Sequence, residues 1–237
     1  MGKYLFGFLL ALSYTIGFSQ IETNPKKNRL QFSTGYNFGA LKNLEYAPVS
    51  QYDYNGLIYK LGYERTSKNQ NLFSVQADYL KSELKTDVIP VLNLDYTKVD
   101  LRFSYLKNIY SKNKFSIYLG LQSYSNISVY VLGNKDRLII NQSFGIASQF
   151  SYQINKKQAL FSKLIIPVVL LRVTDSSADI YSFNRYQGLS WNIGYRYSLS
   201  NHFDLTLNYD FNYDRLQIPS AFRELQQQFN LGINFKF

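Results

Sequence analysis

Cysteine is missing from this chain, and histidine and tryptophan occur once each. Without a thiol there is no disulfide scaffold, no thiolate zinc site and no lipid-anchored cysteine behind a leader. A single histidine makes a His-rich metal centre or a His-based catalytic group hard to build. Beyond the N-terminal segment, no apolar run reaches the roughly 18 residues that a membrane-crossing helix needs. What remains legible is where the chain resides and how it is built, more than what it acts on.

The N-terminal segment has a pattern of its own. Lys3 precedes an apolar run over residues 4–18, which closes on Gly17-Phe18-Ser19, a small-x-small cleavage signal. We therefore expect a secretory signal peptide over 1–19, too short and wrongly flanked for a spanning helix. A short tail over 20–28, with Pro25, Lys26 and Lys27, follows it. The rest, 29–237, has the look of one unit, with no linker and no long-period repeat. Aromatic residues are 17% of the chain, and its formal charge is +10.

Apolar residues recur with period two, the signature of strands with two unlike faces. Leu57, Tyr59, Leu61 and Tyr63 oppose Lys60, Gly62 and Glu64, and Val99, Leu101, Phe103 and Tyr105 oppose Lys98, Asp100, Arg102 and Ser104. The same alternation runs through segments beginning at Leu30, Phe73, Phe115, Phe144, Leu189, Phe203 and Phe229. A soluble sandwich with one wet face shares this period. Here the polar face is Gly, Ser, Asn and Gln with few charges, as a crowded lumen would be. The apolar face carries Tyr and Phe toward strand ends, where aromatics of a membrane interface gather.

Counting the apolar run over 160–171, the pattern gives about ten strands, with eight or twelve as the neighbouring even numbers. Short polar links (67–71, 111–114, 155–158 and 200–202) alternate with generally longer ones (42–54, 81–95, 174–185 and 214–223), the link at 133–137 being tight. The expected fold is all-β: a transmembrane antiparallel up-and-down barrel with short periplasmic turns, longer external links and both termini in the periplasm.

The last nine residues, FNLGINFKF, alternate strictly and end in Phe237. In this the chain resembles bacterial outer-membrane β-barrel proteins, and the resemblance extends over 29–237. It implies that Phe229, Leu231, Ile233, Phe235 and Phe237 form the signal read by the barrel-assembly machinery. It also implies outer-membrane lipid as the surrounding solvent.

A barrel of about ten strands is mostly filled by its own side chains. Charges facing inward should then be paired, because an unpaired buried charge is costly. The candidate lumen set is Lys60, Glu64, Asp78, Lys98, Asp100, Arg102, Arg196, Asp204 and Asp210. Hairpin arithmetic centred on Ser200 sets Arg196 opposite Asp204, and a hairpin across 81–95 sets Asp78 opposite Lys98. A structural network is the first reading; an ion-selective constriction from Lys60, Glu64, Asp100, Arg102 and Asp210 is the second.

The run over 160–171 is apolar on both faces. One reading packs it inward with Pro167 at a bulge. Two others make Leu164, Ile166, Pro167, Val168 and Leu170 a lateral opening for a hydrophobic ligand or a face for a second outer-membrane protein. His202 falls in a turn, at the opposite end from the external rim where omptin proteases keep theirs. The acids Glu83, Asp87, Asp175 and Asp179 match no calcium loop, so no metal, cofactor or catalytic set is expected. Many lysines fall on the turn side without an aromatic platform, which favours anionic lipid over nucleic acid. The leading expectation for function is a structural or accessory subunit of an outer-membrane assembly. A narrow porin-like channel or hydrophobic-ligand transporter is the alternative, and an enzyme comes third.

Overall fold

A computed structural model describes residues 27–43, 51–88, 92–132, 135–175, 177–217 and 221–237. The expected leader and most of the expected tail lie outside the described residues. The strands are β1 (Asn28–Asn43), β2 (Tyr52–Thr66), β3 (Leu72–Leu84), β4 (Leu94–Lys112), β5 (Phe115–Leu132) and β6 (Lys135–Asn155). They continue as β7 (Gln158–Val173), the short β8 (Ala178–Ser182), β9 (Tyr186–Ser198), β10 (Phe203–Leu216) and β11 (Phe222–Lys236).

Every neighbouring pair is antiparallel, and the sheet closes on itself through β6–β7 to make a barrel of ten strands. The expected number and topology are thus observed. β8 lies outside that ring, paired only with the far end of β7. The wall between β1 and β11 is in register from Arg29↔Lys236 to Asn43↔Phe222, and Asn28 and Phe237 exchange backbone hydrogen bonds at its end.

At one end the hairpins are tight. Asn155 pairs with Gln158 across Lys156-Lys157, and Lys112 pairs with Phe115 across Asn113-Lys114. Asn113 (φ 56°) and Gln70 (φ 61°) take the left-handed conformation these reversals require. The exposed Lys68, Lys112, Lys114, Lys156 and Lys157 stand at this turn end, together with residues 28 and 237.

The opposite, loop end is longer than expected. The described strands run into the links 42–54, 81–95, 174–185 and 214–223, which extends the hairpins beyond the expected strand ends. β6 has 21 residues, about twice the 9–11 of a membrane-crossing strand. Along the middle of the barrel the outer face is apolar: Phe32, Leu57, Leu121 and Leu231 are all more than half exposed. Beyond it, Asp53, Asn55, Lys81, Glu83, Asp95, Gln187, Arg215 and Arg223 face outward instead.

The inner face inverts with it. At the loop end Leu41, Tyr52, Tyr54, Ile58, Leu80, Leu84, Leu94, Tyr96, Tyr130 and Ile139 form one buried cluster. Leu170, Tyr181, Tyr186, Leu216 and Phe222 form a second. The expected inner face of Gly, Ser, Asn and Gln therefore does not extend to this section, where the outward positions are charged and the apolar ones turn in. Gly39 makes the packing possible, since a Cβ there would fall 2.1 Å from the Tyr54 ring.

Candidate functional site in the lumen

All nine residues of the expected lumen set face inward, but their partners differ from the expected ones. Asp204 stands opposite Ser198, and Arg196 opposite Thr206. Asp78 stands opposite Asp100, with Lys98 opposite Leu80. Each hairpin is centred one residue later than assumed, which shifts partners by two and leaves the face unchanged. The carboxylates facing each other on β3 and β4 are reconciled by a diagonal cation: Arg102 Nη1 bonds Asp78, and its Nη2 is 3.7 Å from Asp100.

This is the centre of a larger network. Lys98 Nζ donates to Glu224 Oε1 at 2.7 Å and to Gln226 Oε1 at 3.2 Å, joining β4 to β11 across the lumen. Tyr124 and Asn126 donate to Asp100 Oδ1 at 2.9 and 2.7 Å, and Tyr54 donates to Glu224. Asp78 and Asp100 are each 1% exposed. The network sits directly beneath the apolar cluster, which holds water away from it.

Nearer the turn end the lumen is looser. Lys60 pairs with Asp210 at 2.5 Å, and Asn192 and Asn230 donate to the same carboxylate. Arg29 pairs with Glu64 at 2.6 Å, and Lys236 with Asp204 at 2.7 Å. A cavity of about 130 Å³ lies here, walled by Arg29, Lys60, Arg102, Lys163 and Arg196 against only two acids, Glu64 and Asp210. One flank of this end is apolar, with Leu72, Leu106, Ala147 and Ile165 packed together.

Sequence reasoning missed Arg29, Lys163, Asp214, Glu224 and Lys236 as lumen charges. Glu224 was recoverable: it shares its phase with Gln226, Gln228 and Asn230, had the last strand been started seven residues earlier than Phe229. Lys163 was hidden inside a run taken as apolar.

The wall over 160–171 divides between faces. Leu164, Ile166 and Val168 point outward, whereas Pro167 and Leu170 are buried inward. Leu170 packs with Tyr181, Tyr186, Leu216 and Phe222, so the five residues do not form one outward surface. Val168 is the extra residue of a bulge between Phe144↔Val169 and Gly145↔Pro167, which resets the alternation and accounts for apolar residues of both parities. On its other side, β7 pairs with β9 only from Gln158 to Ile165. The Pro167 ring occupies the gap beyond, close enough to Gly188 that a Cβ there would meet its Cγ at 2.6 Å.

His202 is exposed in the turn after β9, its ring stacked on Phe235. Among the described residues no group of three or more His, Asp or Glu is placed to hold a metal ion. Phe229, Leu231, Ile233 and Phe235 line the outer face of β11, and Phe237 stacks on Phe235 at 5.7 Å.

No protein-family model and no curated protein matches the sequence. Solved structures do match. The outer membrane protease OmpT of Escherichia coli superimposes with a TM-score of 0.61 at 10% identity, over 92% of this chain and 99% of that one. This chain has the fold of an outer-membrane β-barrel. Neisserial surface protein A (TM-score 0.41, 15% identity, 88% of this chain and 97% of that one) is also similar. So is the translocator domain of the autotransporter NalP from Neisseria meningitidis (0.43, 10% identity, 100% and 96%). At these identities the likeness is one of fold. Fold alone does not fix an activity, which has to be argued from the lumen.

Proposed function

We propose that this barrel resides in the bacterial outer membrane, with its turns and termini in the periplasm. There it acts as a closed structural or accessory component of an outer-membrane assembly. The observation that carries this reading is the filled lumen. The apolar cluster around Tyr52, Tyr54, Tyr96 and Tyr130 caps the loop end, and the Lys98–Glu224 pair crosses the lumen beneath it. A conducting path would have to break both. The outer wall is then the surface that meets lipid and any protein partner, and the β11 residues from Phe229 to Phe237 serve insertion by the barrel-assembly machinery.

Planar-bilayer recording tests the closed state: the purified protein should give no single-channel steps, and appreciable conductance would overturn it. Extraction from native membranes in mild detergent tests the subunit role, with a stoichiometric partner expected in the same fraction. OmpT is a protease, but that activity does not transfer at fold-level likeness. Peptide cleavage by the purified barrel would count against a purely structural role.

The second reading, a route for a hydrophobic ligand beside Pro167, is favoured by the interrupted β7–β9 ladder. Against it stands the Pro167 ring filling that interruption. A Pro167→Gly substitution that admits an apolar fluorophore to the lumen, where the parent does not, would favour the route.

A further inference from the structure

The cavity at the turn end holds more positive charge than its walls neutralise. Glu64 is taken by Arg29, and Asp210 by Lys60. Arg102 is held by Asp78 and Asp100. Two cations are left over. Lys163 Nζ donates to the hydroxyl of Ser104 at 3.0 Å and forms no ion pair among the described residues. Arg196 lies over the Phe161 ring at 5.4 Å, with its Nε unpartnered. Asp204, on the neighbouring strand, is engaged by Lys236.

Cations inside a protein wall are stable only with a counter-charge or with good solvation. Here the place for a counter-charge is already shaped. Lys163 and Arg196 both line the cavity. So does Asn212, which is 8% exposed and whose side-chain N–H₂ finds no acceptor. A volume of about 130 Å³ is several times what one water needs, roughly 10–15 Å³.

We infer that this cavity is a binding site for a small tetrahedral oxyanion of the phosphate or sulfate class. Lys163 and Arg196, neither held by a carboxylate of its own, suit an anion between them, and guanidinium, ammonium and amide donors suit its oxygens. The anion enters from the turn end, where the Arg29 and Glu64 side chains keep 27% and 25% exposure. Toward the loops the way is blocked by the buried Asp78–Arg102–Asp100 group. A free ion rather than a lipid headgroup is the occupant, because the cavity lies on the lumen side of the wall. The site does not depend on whether the barrel conducts.

Equilibrium dialysis of radiolabelled inorganic phosphate against the folded protein in detergent, at fixed ionic strength, tests the proposal. Saturable binding is expected, displaced by sulfate and untouched by phosphatidic acid in micelles. Lys163→Gln and Arg196→Gln should each weaken it about tenfold, the loss of one charged hydrogen bond. Arg196→Lys should retain most of the affinity, and the turn variant Lys156→Gln all of it. Heat-modified gel migration confirms that each variant is folded. Absence of saturable binding, equal weakening by Lys156→Gln, or displacement by phosphatidic acid but not by sulfate would each overturn the site.

Discussion

The two halves of this barrel solve the same packing problem with opposite polarity. In the membrane section the wall is apolar outside and polar inside, with Leu231 and Phe32 outward and Asn230 and Lys60 inward. In the loop-end section Asp53 and Glu83 face outward while Tyr54 and Leu84 pack inward. Around most of the wall the backbone is the same in both: β1 to β5, β10 and β11 continue with the same antiparallel pairing. The main change is in β7, by its bulge at Val168 and its exchange of β9 for β8. In the proposed membrane setting, what changes is the surrounding solvent. Where the outside is hydrocarbon, polar groups must turn to the lumen and satisfy one another. Where the outside is water, burial of apolar surface drives the side chains the other way.

Four tests, five substitutions in all, probe that contrast, each read by denaturant unfolding of the bilayer-refolded protein. The single tryptophan, Trp191, is the reporter; it faces outward at 41% exposure. The largest loss is expected at the junction of the sections, where Glu224→Gln removes the nearest counter-charge of Lys98. Stranding a buried cation costs about 3–5 kcal/mol, and an unchanged midpoint would show that Asp100, 4.0 Å away, suffices alone. Next, Leu80→Ala in the loop-end cluster should cost about 2–5 kcal/mol, as a cavity in a packed core does. If it costs far less, the cap is loose and the closed-lumen reading weakens with it.

The third test is a pair. Arginine in place of the outward Leu231 should cost roughly 2–4 kcal/mol if that position sits near the bilayer midplane. Arginine in place of the outward Asp53 should shift stability by less than about 1 kcal/mol, because water surrounds it. Equal costs would mean that the two sections do not meet different solvents. The smallest effect belongs to Glu83→Ala, which removes an exposed pair with Lys85 at 3.4 Å and should change stability by less than about 1 kcal/mol.

Much of the section with the apolar outer face was legible because a wall with two unlike faces imposes a strict period. The alternations from Leu57 to Glu64 and from Phe229 to Phe237 each set a strand's faces without any knowledge of its neighbours. The loop-end section was less legible. In β2 the apolar phase moves from Tyr52 and Tyr54 to Leu57, Tyr59 and Leu61, a reversal that reads as a loop boundary unless the solvent is known to change there. Pairings within the lumen were the hardest. Lys98 and Glu224 are 126 positions apart, and their meeting depends on barrel closure rather than on any local pattern. Even the near pairs slipped, since moving a turn centre by one residue moves Asp78 from Lys98 to Asp100.

The pairing of β1 with β11 has a consequence for biogenesis. β1 is made first among these strands, yet one of its two edges acquires its hydrogen-bonding partner only when Phe222–Lys236 arrives. Until then, any partial wall built from the earlier strands has an open strand edge of the kind that recruits other chains and aggregates. A wall of this design is completed only in one late, long-range event.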